Sequence, residues 1–389
     1  MTPKIDLLSI IYLIGAVQGV FLVVALLDKK IANQQANRYL AFFLVIFTLS
    51  LIDEFLFQSR YFYSYPHLIG LIWPLEYLYA PLFYFYIRVL TSINSPFKEK
   101  RKSWHFILFF VGILLALPTF MLNPEQKIIM LYGLNDNISE AVIRANIFDT
   151  VGTLFVLLQM IVYVWLSFRH LQSYRQNIRQ QFSTIEKINF SYLVIFLCLL
   201  IFLLGLYIID IFFSKQLGIG DWAGMLIHVL FVFIIYGLGY IALRQPTIFK
   251  IKNISKTIAK DKYMRSKLSK EDSQEIKDCL LTTMQNDKPY LEGDITLFGL
   301  ADLVGCTTNN LSQVINSEFE KTFFDFINTY RIDQAKQYLL LSESEKMTIL
   351  TIALESGFNS KSAFYSAFKK ELEMTPSQYK KSISLNKNA

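Results

Sequence analysis

Ala301 and Gly305, in ADLVG, stand four residues apart, and so do Ala353 and Gly357, in ALESG. After each glycine comes a short polar turn, then a segment with paired apolar residues: Leu311 with Ile315, and Phe364 with Phe368. Alanine lets two helices approach closely, and glycine takes the positive φ of a tight inter-helix turn. The spacing predicts two helix-turn-helix units, whose second helices have the form that enters a DNA major groove. Thr307 or Thr308 caps the first of these helices, a helix N-terminus also favours phosphate, and Thr308 is counted with the expected DNA contacts. With Leu311 and Ile315 inward, Asn309, Ser312, Gln313 and Asn316 face outward. Ser360 caps the second helix. With Phe364 and Phe368 inward, Lys361, Ser362, Tyr365, Ser366 and Lys369 are exposed. Asn and Gln pair bidentately with adenine, whereas Lys369, Lys370 and Asn316 suit phosphate. Neither outward face carries arginine, so arginine readout of guanine is not expected. Taken singly, such Asn, Ser and Gln residues are ordinary solvated helix surface; the repeat of the motif is what favours base contact.

These faces need a frame. The intervening FFDFINTYRIDQAKQYLL reads as one amphipathic helix with Phe323, Phe326, Ile327, Tyr330, Ala335, Tyr338 and Leu339 on its apolar side. One helix joining two units sets two recognition helices at a fixed separation, suited to successive major-groove segments on one face of B-DNA. Phe358, Phe364, Phe368 and Tyr379 read as core. Thr375 and Pro376 read as the cap and first residue of a last helix.

GFNSKSAFYSAFKKELEMTPSQY resembles the signature of the AraC-type transcriptional regulators, through Gly357, Phe358, Ser360, Ser362, Phe364, Phe368, Lys369, Lys370, Thr375, Pro376 and Tyr379. LADLVGCTTNNLSQVINSEFEKTFFDFINTYRIDQAK fits the same family. The resemblance covers about residues 285–383, roughly a quarter of the chain. It implies double-stranded promoter DNA as partner. It also implies base-reading positions at Asn309, Ser312 and Gln313, and at Lys361, Ser362, Tyr365 and Ser366. Where the family commonly has glycine after the first recognition helix, this chain has Glu320. Together with the preceding apolar region, the chain resembles the membrane-embedded bacterial subgroup of that family.

The composition divides the same way. The 389 residues are 53% hydrophobic and 18% charged, which departs from a single soluble domain and excludes disorder. Residues 1–243 carry 17 Lys+Arg and 13 Asp+Glu, whereas the shorter 244–389 carries 21 and 18, so a domain boundary falls near Arg244. Seven apolar runs, at about 5–27, 39–57, 67–90, 104–122, 145–168, 189–213 and 222–243, have the length of membrane-spanning helices. Alternate loops hold 11 Lys+Arg on one side (Lys29, Lys30 and Arg38; Lys98 to Lys102; Arg169, Arg175, Arg179 and Lys187) against 5 on the other. That bias predicts an outside N-terminus and a cytoplasmic C-terminal part, in a multi-pass protein of the inner membrane.

The expected fold is therefore all-α: a polytopic bundle of about seven spans over 1–243, a basic linker and connecting helix over 244–284, and a double helix-turn-helix domain over 285–389. Glu76 and Asp149 are candidates for a polar ligand-sensing pocket among the spans. Asp53, Glu54 and Asp210 sit near span ends, where they reach headgroups or water. His67, His105, His170 and His228 lack ligand spacing and Cys198, Cys279 and Cys306 are scattered, so no metal, cofactor or catalytic motif is expected. The expected function is a sequence-specific, membrane-embedded transcriptional regulator that couples an unknown membrane or envelope signal to promoter binding. The lipid bilayer is a partner, and a second protomer and RNA polymerase are further partners that this reading allows. Two alternatives are a transporter or intramembrane enzyme with a regulatory DNA-binding tail, and a receptor whose tail binds protein. Net charge adds a detail: residues 285–360 hold 5 Lys+Arg and 11 Asp+Glu, whereas 361–389 hold 6 and 2. Attraction to the DNA backbone is therefore expected at the second recognition helix and the tail.

Overall fold

Long apolar runs without helix breakers satisfy their backbone groups internally as helices. A computed structural model of the chain describes residues 3–28, 33–91, 102–133, 138–184, 191–217, 222–244, 268–340 and 347–387. Among these the chain is all-helical, apart from one isolated β-bridge. It forms two compact units, residues 1–171 with 190–249, and residues 172–189 with 250–389.

The first unit contains α1 (Leu7–Leu26), α2 (Gln34–Gln58), α3 (Tyr79–Leu90), α4 (Ile107–Phe120), α5 (Pro124–Tyr132), most of α6 (Glu140–Arg179), α7 (Ser191–Leu217) and α8 (Trp222–Arg244). Five of its helical stretches are long and apolar enough to cross a membrane, and two shorter apolar ones, Leu193–Ile209 and Gly224–Gly237, lie in α7 and α8. Tyr12, Leu40, Phe43, Leu44 and Leu51 are buried where α1 and α2 pack. The opposite face of α1 is apolar too, with Leu13, Val17, Phe21 and Val24 exposed. A soluble helix carries polar residues there.

The expected third span is not one continuous α-helix. Proline lacks the N–H that an α-helical interior requires. Pro66 starts the 3₁₀ turn Pro66–Leu68, Pro74 is the second residue of the 3₁₀ turn Trp73–Leu78, and only from Tyr79 does an α-helix run on. The broken turn is pinned by Tyr77. Its hydroxyl donates to the Gly152 carbonyl at 2.8 Å, and its own carbonyl accepts from Gln159 Nε2 at 3.0 Å.

The second unit contains α9 (Lys270–Asn286), α10 (Leu297–Val304), α11 (Thr308–Phe319), α12 (Phe323–Leu340), α13 (Ile349–Glu355), α14 (Lys361–Leu372) and α15 (Pro376–Lys387). Residues 245–267, most of the expected linker, lie outside the described residues. The helix after them, α9, starts on a Ser269 capping box and packs on the unit through Leu280 and Met284. Helix α12 serves two cores. Phe323, Phe326 and Ile327 join Leu300, Leu311 and Ile315, whereas Ile332, Ala335 and Leu339 join Ile352, Phe364 and Phe368. Tyr330 and Tyr338, expected on its apolar face, are half-buried, and Arg331 is buried instead.

Gly305 has φ +77° and Gly357 has φ +87°, the left-handed backbone expected at the two turns. They differ in their surroundings. A Cβ on Gly305 meets open space, but one on Gly357 would lie 2.4 Å from the Tyr290 carbonyl oxygen. Glu320 takes φ +53°, so the turn keeps its left-handed form without glycine. Gly305→Ala should therefore cost about 1 kcal/mol, from φ alone. Gly357→Ala should cost more than about 2 kcal/mol, because backbone must also move. Hydrogen exchange of the α10–α14 amides in the full chain measures both, and equal losses would refute the packing difference.

Candidate nucleic-acid interface

Each helix-turn-helix is assembled from local signals. Thr296 caps α10 by accepting from Gly299 N–H at 3.1 Å, and Thr307 caps α11 by accepting from Asn310 N–H at 3.2 Å. Thr348 and Ser360 cap α13 and α14 in the same way, from Thr351 and Ala363 N–H, both at 3.1 Å. Thr375 and Gln378 exchange capping bonds at the start of α15. Buried Leu311, Val314 and Ile315 fix which side of α11 faces out, and buried Phe364 and Phe368 do so for α14.

On α11, Asn309, Gln313 and Asn316 are exposed and Ser312 is half-buried, accepting from Asn316 Nδ2 at 3.4 Å. Thr308 departs from its expected place among the DNA contacts: at the first helical position its side chain is only 8% exposed. On α14, Lys361, Ser362, Ser366, Lys369 and Lys370 are exposed. Tyr365 is half-buried, its hydroxyl 3.0 Å from Ser377 Oγ, with the Lys361 ammonium 5.5 Å from its ring centre. The α11 face is thus neutral and rich in amides, and the α14 face is cationic.

Lys370 also has a partner within the unit, donating to Asp325 Oδ1 of α12 at 2.6 Å. Burial pushes the Asp325 carboxyl up, but the Lys370 ammonium and the Thr322 hydroxyl outweigh it and hold the group below its ordinary value. This pair ties the second recognition helix to the start of the connecting helix.

Arg331 is the residue that sequence reading missed. It is 1% exposed, and no carboxylate lies within ion-pair distance of it among the described residues. Its Nε donates to Tyr290 O at 2.7 Å, and its Nη2 to Glu292 O at 2.8 Å, with longer bonds to Gly293 O and to Ser183 O and Oγ, each at 3.4 Å. Its guanidinium carbon lies 5.7 Å from the Phe358 ring centre. Burial pulls its pKa down to about 10, which leaves it charged at neutral pH, and Asp294 opposes the shift. The available signal was its place at the middle of the i, i+4, i+8 row Ile327, Arg331, Ala335.

Ser183 comes from far earlier in the chain. Residues 172–189 belong to this unit, although their sequence position groups them with the apolar region. Phe182 and Thr296 form the β-bridge. Leu297 N–H donates to Gln181 O at 3.0 Å, and the Ser183 and Thr184 hydroxyls donate to Ile295 O and Gly293 O, both at 2.6 Å. In the first unit, Glu76 and Asp149 line one cavity together. Among the described residues no cluster of three His, Cys, Asp or Glu side chains is placed to hold a metal.

Residues 300–382 match the family described as "Helix-turn-helix domain". An uncharacterized HTH-type transcriptional regulator of Pseudoalteromonas carrageenovora is 33% identical over 123 residues, which are 31% of this chain and 69% of that protein. Uncharacterized HTH-type transcriptional regulators of Staphylococcus aureus strains COL and N315 are each 34% identical over 91 residues, 23% of this chain but only 12% of their own length. No solved structure matches the chain.

The Asp325 carboxyl titrates lower folded than unfolded. Its contribution to stability is therefore present above the unfolded value near 4 and lost as pH falls through the lower folded value. Asp325→Asn should cost about 1 kcal/mol at pH 7 and less near pH 2. Urea unfolding of the full chain, followed by exchange of the α12 and α14 amides at both pH values, checks this.

Proposed function

The chain belongs to the AraC-type helix-turn-helix transcriptional regulators, and on that premise we propose that it reads promoter DNA with two unlike helices under the control of a membrane-embedded unit. The observation that carries the reading is the pair of exposed faces, on α11 and α14, held on one connecting helix. Asn309, Ser312 and Gln313 supply base-edge readout, with adenine the natural partner of the amides. Lys361, Lys369 and Lys370 supply backbone attraction, with Lys370 exchanging its Asp325 partner for phosphate. Ser362, Tyr365, Ser366 and Asn316 complete the contact row.

Apolar residues on the outward face of α1 support insertion of the first unit in a bilayer. The excess of Lys and Arg in alternate loops supports an inner-membrane protein with its DNA-binding domain in the cytoplasm. Coupling then runs through α6. Its residues up to 171 belong to the first unit, and Gln181–Thr184, just past its end, are bonded to the segment that starts the first helix-turn-helix. A signal that favours one of two states of α6 would shift the population of DNA-competent frames.

Footprinting with the full-length protein should show sequence-specific protection. Gln313→Ala should cost about 1–3 kcal/mol and relax preference at one base pair. Lys361→Ala should weaken all sequences alike and lower the salt slope by about one. Absence of specific protection by the wild-type protein would sink the reading. Recovery of the protein outside the membrane fraction would sink the membrane part of it alone.

A further inference from the structure

The first unit holds a partly open cavity of about 160 Å³, the size class of a protein void that takes up benzene. Phe43, Phe47, Tyr79, Phe83, Tyr163 and Phe231 form much of its wall, and Glu76 is its one carboxyl group among the described residues. Most other polar groups facing it are occupied. Ser50 Oγ and the Tyr79 hydroxyl share a 2.5 Å hydrogen bond, and the Tyr163 hydroxyl lies 2.7 Å from His105 Nδ1. His228 Nδ1 lies 2.9 Å from Gly224 O and 3.7 Å from Glu54. The Glu76 carboxyl group, unlike its backbone carbonyl, which accepts from Tyr79 N–H, has no hydrogen bond or ion pair with any described residue.

Glu76 is also held in place. It precedes Tyr77, which Gly152 and Gln159 of α6 pin on both sides, and a Cβ on Gly112 would fall 2.5 Å from the Tyr77 ring. The carboxylate borders a second cavity of about 200 Å³, lined by polar Asp149, Tyr77 and Thr153. Tyr207 borders both cavities. A fixed carboxyl group without a side-chain partner among the described residues, set between an aromatic chamber and a second carboxyl group, offers an incoming ammonium two acidic partners. Aromatic faces attract cations as well, and ionisable groups at such depth are found paired.

We propose that this cavity binds a small amphipathic amine: a benzene-sized ring among the aromatic side chains, and a short arm that brings its ammonium to Glu76 on the side facing Asp149. Met160, Tyr163, Val164 and Ser167 of α6 line the same cavity. An occupant would therefore touch the helix that the proposed coupling uses. That consequence rests on the regulator reading, but binding itself does not.

The test is equilibrium binding of radiolabelled 2-phenylethylamine to the full-length protein in lipid nanodiscs, beside its neutral counterpart 2-phenylethanol. We expect saturable binding of the amine at one site and at least about tenfold weaker binding of the alcohol, the scale of one charge-assisted contact. Glu76→Gln should lower amine affinity by a similar factor. Leu200→Trp, which fills the cavity, should abolish binding while the protein keeps a single thermal transition. Lack of saturable amine binding, equal affinity for amine and alcohol, or unchanged affinity in folded Glu76→Gln would each overturn the proposal. If Glu76→Gln does not fold, the wild-type comparison and Leu200→Trp decide. Footprinting on the same preparation reads DNA binding separately, so either idea can fail without the other.

Discussion

A guanidinium withdrawn from water must find hydrogen-bond acceptors around its whole edge, or the fold that buries it is lost. Arg331 meets this requirement with backbone carbonyls and one serine hydroxyl, not with a carboxylate. Carbonyls cannot be rearranged one at a time. The stretch from Tyr290 to Gly293 has to present three of them at once, Ser183 has to arrive from the other part of the chain, and Phe358 has to lie beside the ring of donors. Gly357 permits that last approach, since its backbone runs against the Tyr290 carbonyl where no Cβ fits. Both helix-turn-helix units are thus referred to one side chain on the helix between them.

The frame explains why two recognition surfaces of different chemistry can act together. The amide face of α11 gains little from electrostatics, and the helix-turn-helix around it is acidic. In the proposed reading, the lysines of α14 and the tail supply the attraction that α11 lacks. If the two helices moved independently, the lysines would bind DNA without aligning the amides. With both cores sharing α12, backbone contact at one helix fixes the position of the other. We regard the first helix as the reader and the second as the anchor. The segment Gln181–Thr184 enters the same frame beside Arg331, so its position bears on both.

Much of this was legible from residues close together in the sequence. The Ala–Gly spacing, the Thr307, Ser360 and Thr375 caps and the inward Leu311, Ile315, Phe364 and Phe368 are local signals, and each has the expected place. Glu320 shows the limit of a residue-type rule, because the turn is left-handed there even though glycine is absent. What local patterns could not supply is long range. Arg331 looks like a polar residue on an amphipathic helix until its partners, 41 and 148 positions away, are known. The bond from Leu297 to Gln181 belongs to neither periodic pattern. The interrupted third apolar stretch has its signal in Pro66 and Pro74, but hydropathy averages over backbone chemistry and presents it as a continuous span. Thr308 is buried because it is the first residue inside the helix and Thr307 is the cap, a one-position choice that sequence left open.

Hydroxyl-radical footprinting of full-length wild-type protein and Arg331→Met on one operator measures the shared frame directly. For wild type the expected pattern is two protected tracts on one face of the duplex, about one helical turn apart. For Arg331→Met the two tracts should fade together as protein is diluted. A wild-type footprint of one tract, or an Arg331→Met footprint in which one tract keeps its affinity while the other disappears, would contradict a frame built on that arginine.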